Sequence, residues 1–176
     1  MTPPLCRQAF STNACDGHVM DRVLSSYKAT VRWSRNVDDL FARGRYSRAH
    51  EWTFDGGAVV PASASPDNVP PGTADEAAVD PEEAFIAAIS SCHMLFFIDY
   101  ARREGFVVDS YEDEAVGIME RRSDGKIAVT RVTLRPKVEW SGDRQPNATE
   151  LARLHHRSHE DCFIANSVNT EVTIEQ

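Results

Sequence analysis

Two cysteines are the residues of this sequence best suited to redox chemistry. Cys92 and Cys162 lie 70 positions apart, each on the apolar stripe of a segment with helical periodicity. Two such thiols could form a disulfide if their Cα atoms came within about 7 Å of each other. Nothing in the local sequence forces the two to meet, and a lone cysteine is more often a small core residue. The pair is therefore a candidate redox site whose geometry the fold must decide.

Histidines near Cys162 allow a second interpretation, a metal site. His155, His159 and Cys162 are spaced i, i+4 and i+7, which places them on one helical face, and Cys92 or His93 could supply a fourth ligand. The spacing matches no common zinc motif, and no Cys-x-x-Cys is present. Histidines at the C-terminal end of a helix also interact favourably with its dipole. We predict no bound metal and keep this site as an alternative.

Arg48 is the candidate positive charge for activating a thiol. The alternation over residues 46–54 predicts a strand that places Arg48 on the same face as bulky residues such as Trp52. A charge on a covered face needs a partner, and a guanidinium beside a thiol favours the thiolate. Arg43 and Arg45 are nearby alternatives.

The most clearly marked element is a helix over residues 80–104. Asp80 is the expected N-cap, Pro81 suits the first helical position, Glu83 completes a capping box and Gly105 ends the helix. Apolar residues occur on nearly all its sides, so we expect it at the centre of the protein.

The other elements indicate an α+β fold. A second helix is expected to begin after Asn147, with Glu150 completing its capping box, and to end near Cys162. Residues 65–79 hold three prolines and form a loop long enough to have a role of its own, such as gating a site. The predicted order is β-β-β-α-β-β-α-β, without a regular βαβ series. The strands are expected over residues 27–34, 46–54, 58–64, 106–122, 126–140 and 167–175, the fourth and fifth forming a hairpin around Ser123-Asp124-Gly125.

Length and charge limit the classes of function. The 176 residues predict a disordered N-terminal arm over residues 1–20, which holds Cys6 and Cys15, and a single domain over residues 21–176. The net charge of −8 argues against nucleic acid or an anionic membrane as a partner. No apolar run approaches the roughly 20 residues that cross a bilayer, and the start lacks the features of a secretory signal. We therefore predict a cytoplasmic protein.

Three short motifs resemble the OsmC/Ohr family, the osmotically inducible protein C and organic hydroperoxide resistance proteins. They are Asp80-Pro81-Glu82-Glu83-Ala84-Phe85, Ser90-Ser91-Cys92-His93-Met94 and Cys162-Phe163-Ile164-Ala165-Asn166-Ser167. The resemblance extends from Tyr27 to the C-terminus and is strongest to an OsmC-like branch. It implies an α+β fold in which mixed and antiparallel sheets pack on two central helices, and an intertwined homodimer with sites at the subunit interface.

The resemblance also implies a thiol peroxidase that reduces organic hydroperoxides and, to some degree, hydrogen peroxide. By that analogy Cys92 is the peroxidatic cysteine and Cys162 resolves its sulfenic acid as a disulfide. Glu82, ten residues before Cys92, matches the family glutamate, and Arg48 is the best match for the arginine. No bound cofactor is implied, because an external dithiol such as a lipoyl group or a lipoylated protein reduces the disulfide.

The spacing of Glu82 and Cys92 sets a geometric condition on this site. Ten helical residues rise by about 15 Å, so Glu82 cannot reach Cys92 on the same straight helix. If both serve one site, Glu82 must come from a second chain, or the helix must be broken. Phe85, Phe96 and Phe97 are expected to form an apolar wall that favours alkyl hydroperoxides. The alternative is a catalytically idle protein of the same fold that binds an apolar small molecule at the interface.

Overall fold

Two helices and eight strands make up the computed structural model, which describes residues 24–175. The predicted arm over residues 1–20, with Cys6 and Cys15, lies outside the described residues. The α+β class is confirmed. The elements are β1 (Ala29–Arg32), β2 (His50–Phe54), β3 (Val59–Ala62), α1 (Pro81–Arg103), β4 (Val107–Asp113), β5 (Val116–Arg121), β6 (Ile127–Leu134), β7 (Pro136–Ser141), α2 (Ala148–Asp161) and β8 (Glu171–Ile174).

The strands form three small sheets. The order β1-β2-β3 is antiparallel, β4 pairs with β7, and β5-β6-β8 is mixed because β8 runs parallel to β6. The predicted single hairpin over residues 106–140 is wrong in part. The turn around Gly125 does join β5 to β6, but each long strand divides in two, and the outer halves form a separate sheet. The Asp113 carboxylate accepts the Arg135 N–H at 2.6 Å at the point where the two segments pass from one sheet to the other.

Both predicted capping boxes are confirmed. The Asp80 carboxylate accepts the Glu83 N–H at 2.8 Å, and the Glu83 carboxylate accepts the Asp80 N–H at 3.1 Å. Asn147 and Glu150 make the same pair of bonds at the start of α2. Gly105 follows α1 with φ +82°, a left-handed conformation that glycine adopts without steric cost.

Helix α1 lies between two apolar clusters, as expected for a central helix. Gly117 of β5 allows a close approach to it, since a Cβ there would lie 2.5 Å from Cδ1 of Ile86. One cluster joins α1 to β5, β6 and β8 and contains Ile89, Val132 and Leu134. The other joins α1 to α2 and to the sheet of β4 and β7, and contains Phe97, Tyr100, Ala101, Phe106 and Leu154.

By length and composition alone, α1 is long and apolar enough to cross a bilayer. It was not identified as such from the sequence, where no long unbroken apolar run marks it. In the fold it packs against α2, β4, β5 and β6 instead. The cytoplasmic location stays a prediction.

One segment before α1 differs from the expectations. Strand β2 begins at His50 rather than at residue 46, so Arg48 precedes the strand and has no place on its pleat. Residues 65–79 form the predicted loop, within which residues 66–68 make a 3-10 turn and Thr73 is buried. The carbonyl of Thr73 accepts the Arg48 N–H at 2.8 Å, so this long loop lies against the segment that carries Arg48.

Candidate active site

Helices α1 and α2 bring the thiols of Cys92 and Cys162 together. Cys92 lies in the middle of α1 and is half-buried, whereas Cys162 is the C-cap of α2 and only 1% exposed. The two thiols are neighbours, and neither is in a disulfide. The apolar stripe of α2 predicted this placement, because Leu154, His155 and Ser158 face inward with Cys162.

The environment of Cys162 favours its neutral thiol. Burial raises its pKa to about 11; the N–H of Ala165, which donates to Sγ at 3.4 Å, opposes the shift, and the neighbouring Cys92 thiol adds to it. The turn after α2 holds this arrangement, since the Asn166 side chain donates to the carbonyls of Glu160 and Cys162 at 2.7 and 3.1 Å. At neutral pH Cys162 is therefore a protonated thiol facing Cys92.

A buried histidine pair lies next to the two cysteines. Nε2 of His93 and Nδ1 of His155 are hydrogen bonded at 3.0 Å, and the ring of His155 stacks on Phe97 with centroids 4.3 Å apart. Burial lowers the pKa of each imidazole to about 4, and for His93 the nearby His155 and His159 lower it further. Sequence reasoning placed His155 on the inner stripe of α2 and considered both histidines as metal ligands, but it did not predict that they pair with each other. The burial of His93 could have been inferred from its spacing, because it shares the buried stripe of α1 with Ile89, Phe97 and Tyr100.

The metal alternative gains no support from this geometry. Within residues 24–175, no group of three or more His, Cys, Asp or Glu side chains is arranged to hold a metal ion. His93 and His155 bond to each other, and Cys162 faces Cys92.

Arg48 is held by backbone carbonyls and an aromatic ring. Its Nη1 donates to the carbonyls of Gly44 and Tyr46 at 2.9 and 2.6 Å, and its guanidinium lies 3.8 Å from the centroid of the Tyr46 ring. The residue lines a cavity of about 430 Å³ that Trp33 and other aromatic residues share, and that reaches Pro81 at the start of α1. These contacts place Arg48 at the N-terminal end of α1.

Glu82 lies at the same end of the helix. One of its carboxylate oxygens is 3.5 Å from Nδ2 of Asn68, and the residue lines a cavity of about 570 Å³ together with Phe85 and Arg122. Helix α1 is unbroken from Pro81 to Arg103, so a rise of about 15 Å separates Glu82 from Cys92. Within one chain the structure brings the two cysteines together and leaves Glu82 at a distance from them.

The predicted apolar wall is wrong at Phe97. This side chain is fully buried in the core, where it contacts His155, Tyr111 and Trp140. Phe96 packs edge-on against Phe163, which is 70% exposed, with ring centroids 5.1 Å apart.

Comparisons with known proteins show the family and the fold. A protein-family model described as "OsmC-like protein" matches residues 72–176. A solved OsmC-like protein of unknown function from Vibrio cholerae is 52% identical, with 86% of this chain and 99% of that chain covered and a TM-score of 0.84. No curated protein matches the sequence.

More distant structures share the fold. An organic hydroperoxide resistance protein of Bacillus subtilis is 21% identical, with 87% of this chain and 98% of that chain covered and a TM-score of 0.62. An organic hydroperoxide resistance protein of Legionella pneumophila is 16% identical, with 87% of this chain and 97% of that chain covered and a TM-score of 0.63.

Proposed function

Because this chain belongs to the OsmC-like protein family, we propose that it is a thiol peroxidase that reduces organic hydroperoxides. The observation that carries the proposal is the pair of free neighbouring thiols, Cys92 and Cys162, on two different helices. The names of the Bacillus subtilis and Legionella pneumophila proteins of this fold, which refer to organic hydroperoxide resistance, support it.

The first step uses Cys92. Its thiolate sulfur attacks the terminal oxygen of the hydroperoxide, a sulfur–oxygen bond forms, and the oxygen–oxygen bond breaks. The leaving alkoxide takes a proton and departs as an alcohol. Cys92 is oxidised to a sulfenic acid, and the peroxide is reduced. Hydrogen peroxide would react in the same way and release water.

Cys162 carries out the second step. Its sulfur attacks the sulfur of the Cys92 sulfenic acid, the disulfide forms, and the sulfur–oxygen bond breaks. The Cys162 thiol gives up its proton as its sulfur attacks, and the hydroxide that leaves takes this proton and departs as water. An external dithiol, of which a dihydrolipoyl group is one example, then reduces the disulfide and is itself oxidised to a disulfide.

The proposed complete site is formed by two chains. Glu82 lies in the first turn of α1, a rise of about 15 Å from Cys92 of the same chain, and Arg48 lies near the same end of the helix. In a homodimer, Glu82 and Arg48 of one protomer would meet the cysteines of its partner and favour the thiolate. An exposed apolar side chain on the same helix supports a second copy, since Leu95 of α1 is 64% exposed.

The test compares cysteine variants in one background. Replacing Cys6 and Cys15 by Ser leaves Cys92 and Cys162 as the remaining cysteines and serves as the matched control. With cumene hydroperoxide and dithiothreitol, this background is expected to consume peroxide, and Cys92→Ser is expected to reduce consumption to the rate without protein. Cys162→Ser is expected to keep the first step and accumulate a sulfenic acid on Cys92 that dimedone traps.

Equal peroxide consumption by the background and Cys92→Ser would contradict the proposal. Consumption at the protein-free rate by both would favour the alternative, a catalytically idle protein that binds an apolar small molecule.

A further inference from the structure

The buried pair of His93 and His155 has no part in the proposed reaction, although His93 directly follows Cys92. The two side chains are 1% and 3% exposed, and they join α1 to α2 through a single hydrogen bond of 3.0 Å. A buried polar bond between two helices fixes their relative position, because each ring loses its partner if the helices slide.

We propose that His93 and His155 are positioning residues that hold α1 and α2 in the register at which Cys162 can attack the oxidised Cys92. This inference rests on the proposed function and adds a requirement to its second step. It concerns disulfide formation and not the attack on peroxide.

The location of the pair supports this role. Cys162 lies seven residues after His155 on α2, about two helical turns along the same buried face. A second α1–α2 bond, from the Tyr100 hydroxyl to the Asp161 carboxylate, involves the residue directly before Cys162. Two polar contacts with α1 therefore lie on the part of α2 that leads to Cys162. A disulfide requires Cα atoms about 4.4–6.8 Å apart, so a shift of a few ångströms between the helices would prevent it.

The surroundings of the pair select its neutral form. The titratable groups facing His93 are His155 and His159 on α2 and Asp113 on β4. Asp113 already accepts bonds from the Ser90 hydroxyl and the Arg135 N–H. Nδ1 of His93 is buried and has no hydrogen-bond partner among the described residues. When both rings are protonated, each nitrogen of the bond is a donor and the contact turns repulsive. Acid is therefore expected to open the pair.

The experiment uses two double variants of the full chain in the Cys6→Ser, Cys15→Ser background. His93→Leu with His155→Leu removes the bond. His93→Gln with His155→Asn keeps it without a titrating ring, because the two amides place polar atoms near Nε2 and Nδ1 respectively. Val132→Ala, in the other apolar cluster, is the control for a general loss of stability.

Two rates are measured after one addition of cumene hydroperoxide, the rate at which the Cys92 sulfenic acid forms and the rate at which it is lost. Both are measured by dimedone trapping and mass spectrometry, and the readout is the rate of loss divided by the rate of formation. The leucine pair is expected to lower this ratio about tenfold or more, equivalent to roughly 1.4 kcal/mol in the barrier. The glutamine–asparagine pair is expected to stay near the background value. It should also lack the additional decline that the background shows as the pH falls from 6 to 4.

Three results would overturn the inference: an unchanged ratio in the leucine pair, an equal loss in Val132→Ala, or a loss in the glutamine–asparagine pair as large as that in the leucine pair. A parallel arm forms the disulfide with diamide, which oxidises two thiols without any peroxidase step. If no sulfenic acid appears in the background, the proposed function fails, and the diamide rates alone decide whether the histidine pair positions the cysteines.

Discussion

The two central cysteines are the same chemical group in different surroundings. Cys162 is buried at the end of α2, and its raised pKa keeps the proton on sulfur, whereas Cys92 is partly accessible in the middle of α1. Such a difference suits a reaction in which one sulfur must meet a peroxide from solution and the other must wait beside it. Periodicity predicted which cysteines face inward, but the sequence could not give the difference in burial, because that depends on how the 162–167 turn folds over Cys162.

This difference predicts selective alkylation. In the Cys6→Ser, Cys15→Ser background, iodoacetamide at pH 8 is expected to modify Cys92 and leave Cys162 unmodified, because Cys162 is buried and its pKa is about 11. Modification of Cys162 in the Cys92→Ser variant should rise as the pH is increased from 8 towards 11, as measured by peptide mass spectrometry. The same variant unfolded in urea is the control and should react readily at pH 8. Rapid modification of folded Cys162 at pH 8 would contradict the predicted shift.

The surroundings of Arg48 were predicted only in part. The alternation from Tyr46 onward indicated a strand, but the chain before His50 turns so that the Arg48 guanidinium bonds to the carbonyls of Gly44 and Tyr46. Side-chain alternation carries no information about such backbone contacts. Whether Glu82 and Arg48 act on Cys92 could not be decided from one chain, because the proposed site needs a second copy.

At the level of elements, local signals predicted the helices better than the strands. A capping box is complete within four residues, so Asp80 and Asn147 could be identified directly. The division of the long strands at Asp113 and Arg135 depends on a contact between residues 22 positions apart. Spacing along α1 could have identified His93 as buried, but its partner His155 is 62 residues away.

The hydrogen-bonded pair of His93 and His155 between α1 and α2 predicts that stability depends on pH. His93 and His155 have a pKa near 4 in the folded protein against an ordinary 6.5, so the unfolded chain binds more protons between these values. The free energy of unfolding is therefore expected to fall as the pH is lowered from about 6.5 towards 4, in urea titrations followed by circular dichroism. The decline should be smaller in His93→Gln, His155→Asn, since its amides do not titrate. Parallel curves for the two proteins would refute this explanation.

At the scale of the whole molecule, part of the apolar surface of α1 and its surroundings is left uncovered within one chain. Helix α1 buries one face in its own chain, while Leu95 and Phe163, which packs against the adjacent Phe96, remain exposed. An apolar surface of this kind on a central helix is typical of an interface with another copy. It also agrees with the separation of Glu82 from Cys92 along one helix.

The dimer is tested through the most exposed apolar residue of α1. Leu95→Glu is expected to shift the protein from about twice the chain mass of 19.6 kDa to the mass of a monomer in light-scattering chromatography, because it places a charge in the contact. Peroxide consumption should fall at least about tenfold, since each proposed site would lose the partner's glutamate. Leu95→Ala is the matched control and should remain dimeric. A wild-type monomer at micromolar concentration would contradict the proposed two-chain site.

The parallel pairing of β8 with β6 has a consequence for synthesis of the chain. Arg131 pairs with Glu171, so about 40 further residues, including all of α2, must leave the ribosome before β6 gains its second neighbour. During that interval β6 exposes an unpaired edge with apolar residues such as Val132, and open edges of this kind recruit other chains. The nascent protein is therefore vulnerable to aggregation in the interval between the synthesis of β6 and the docking of β8.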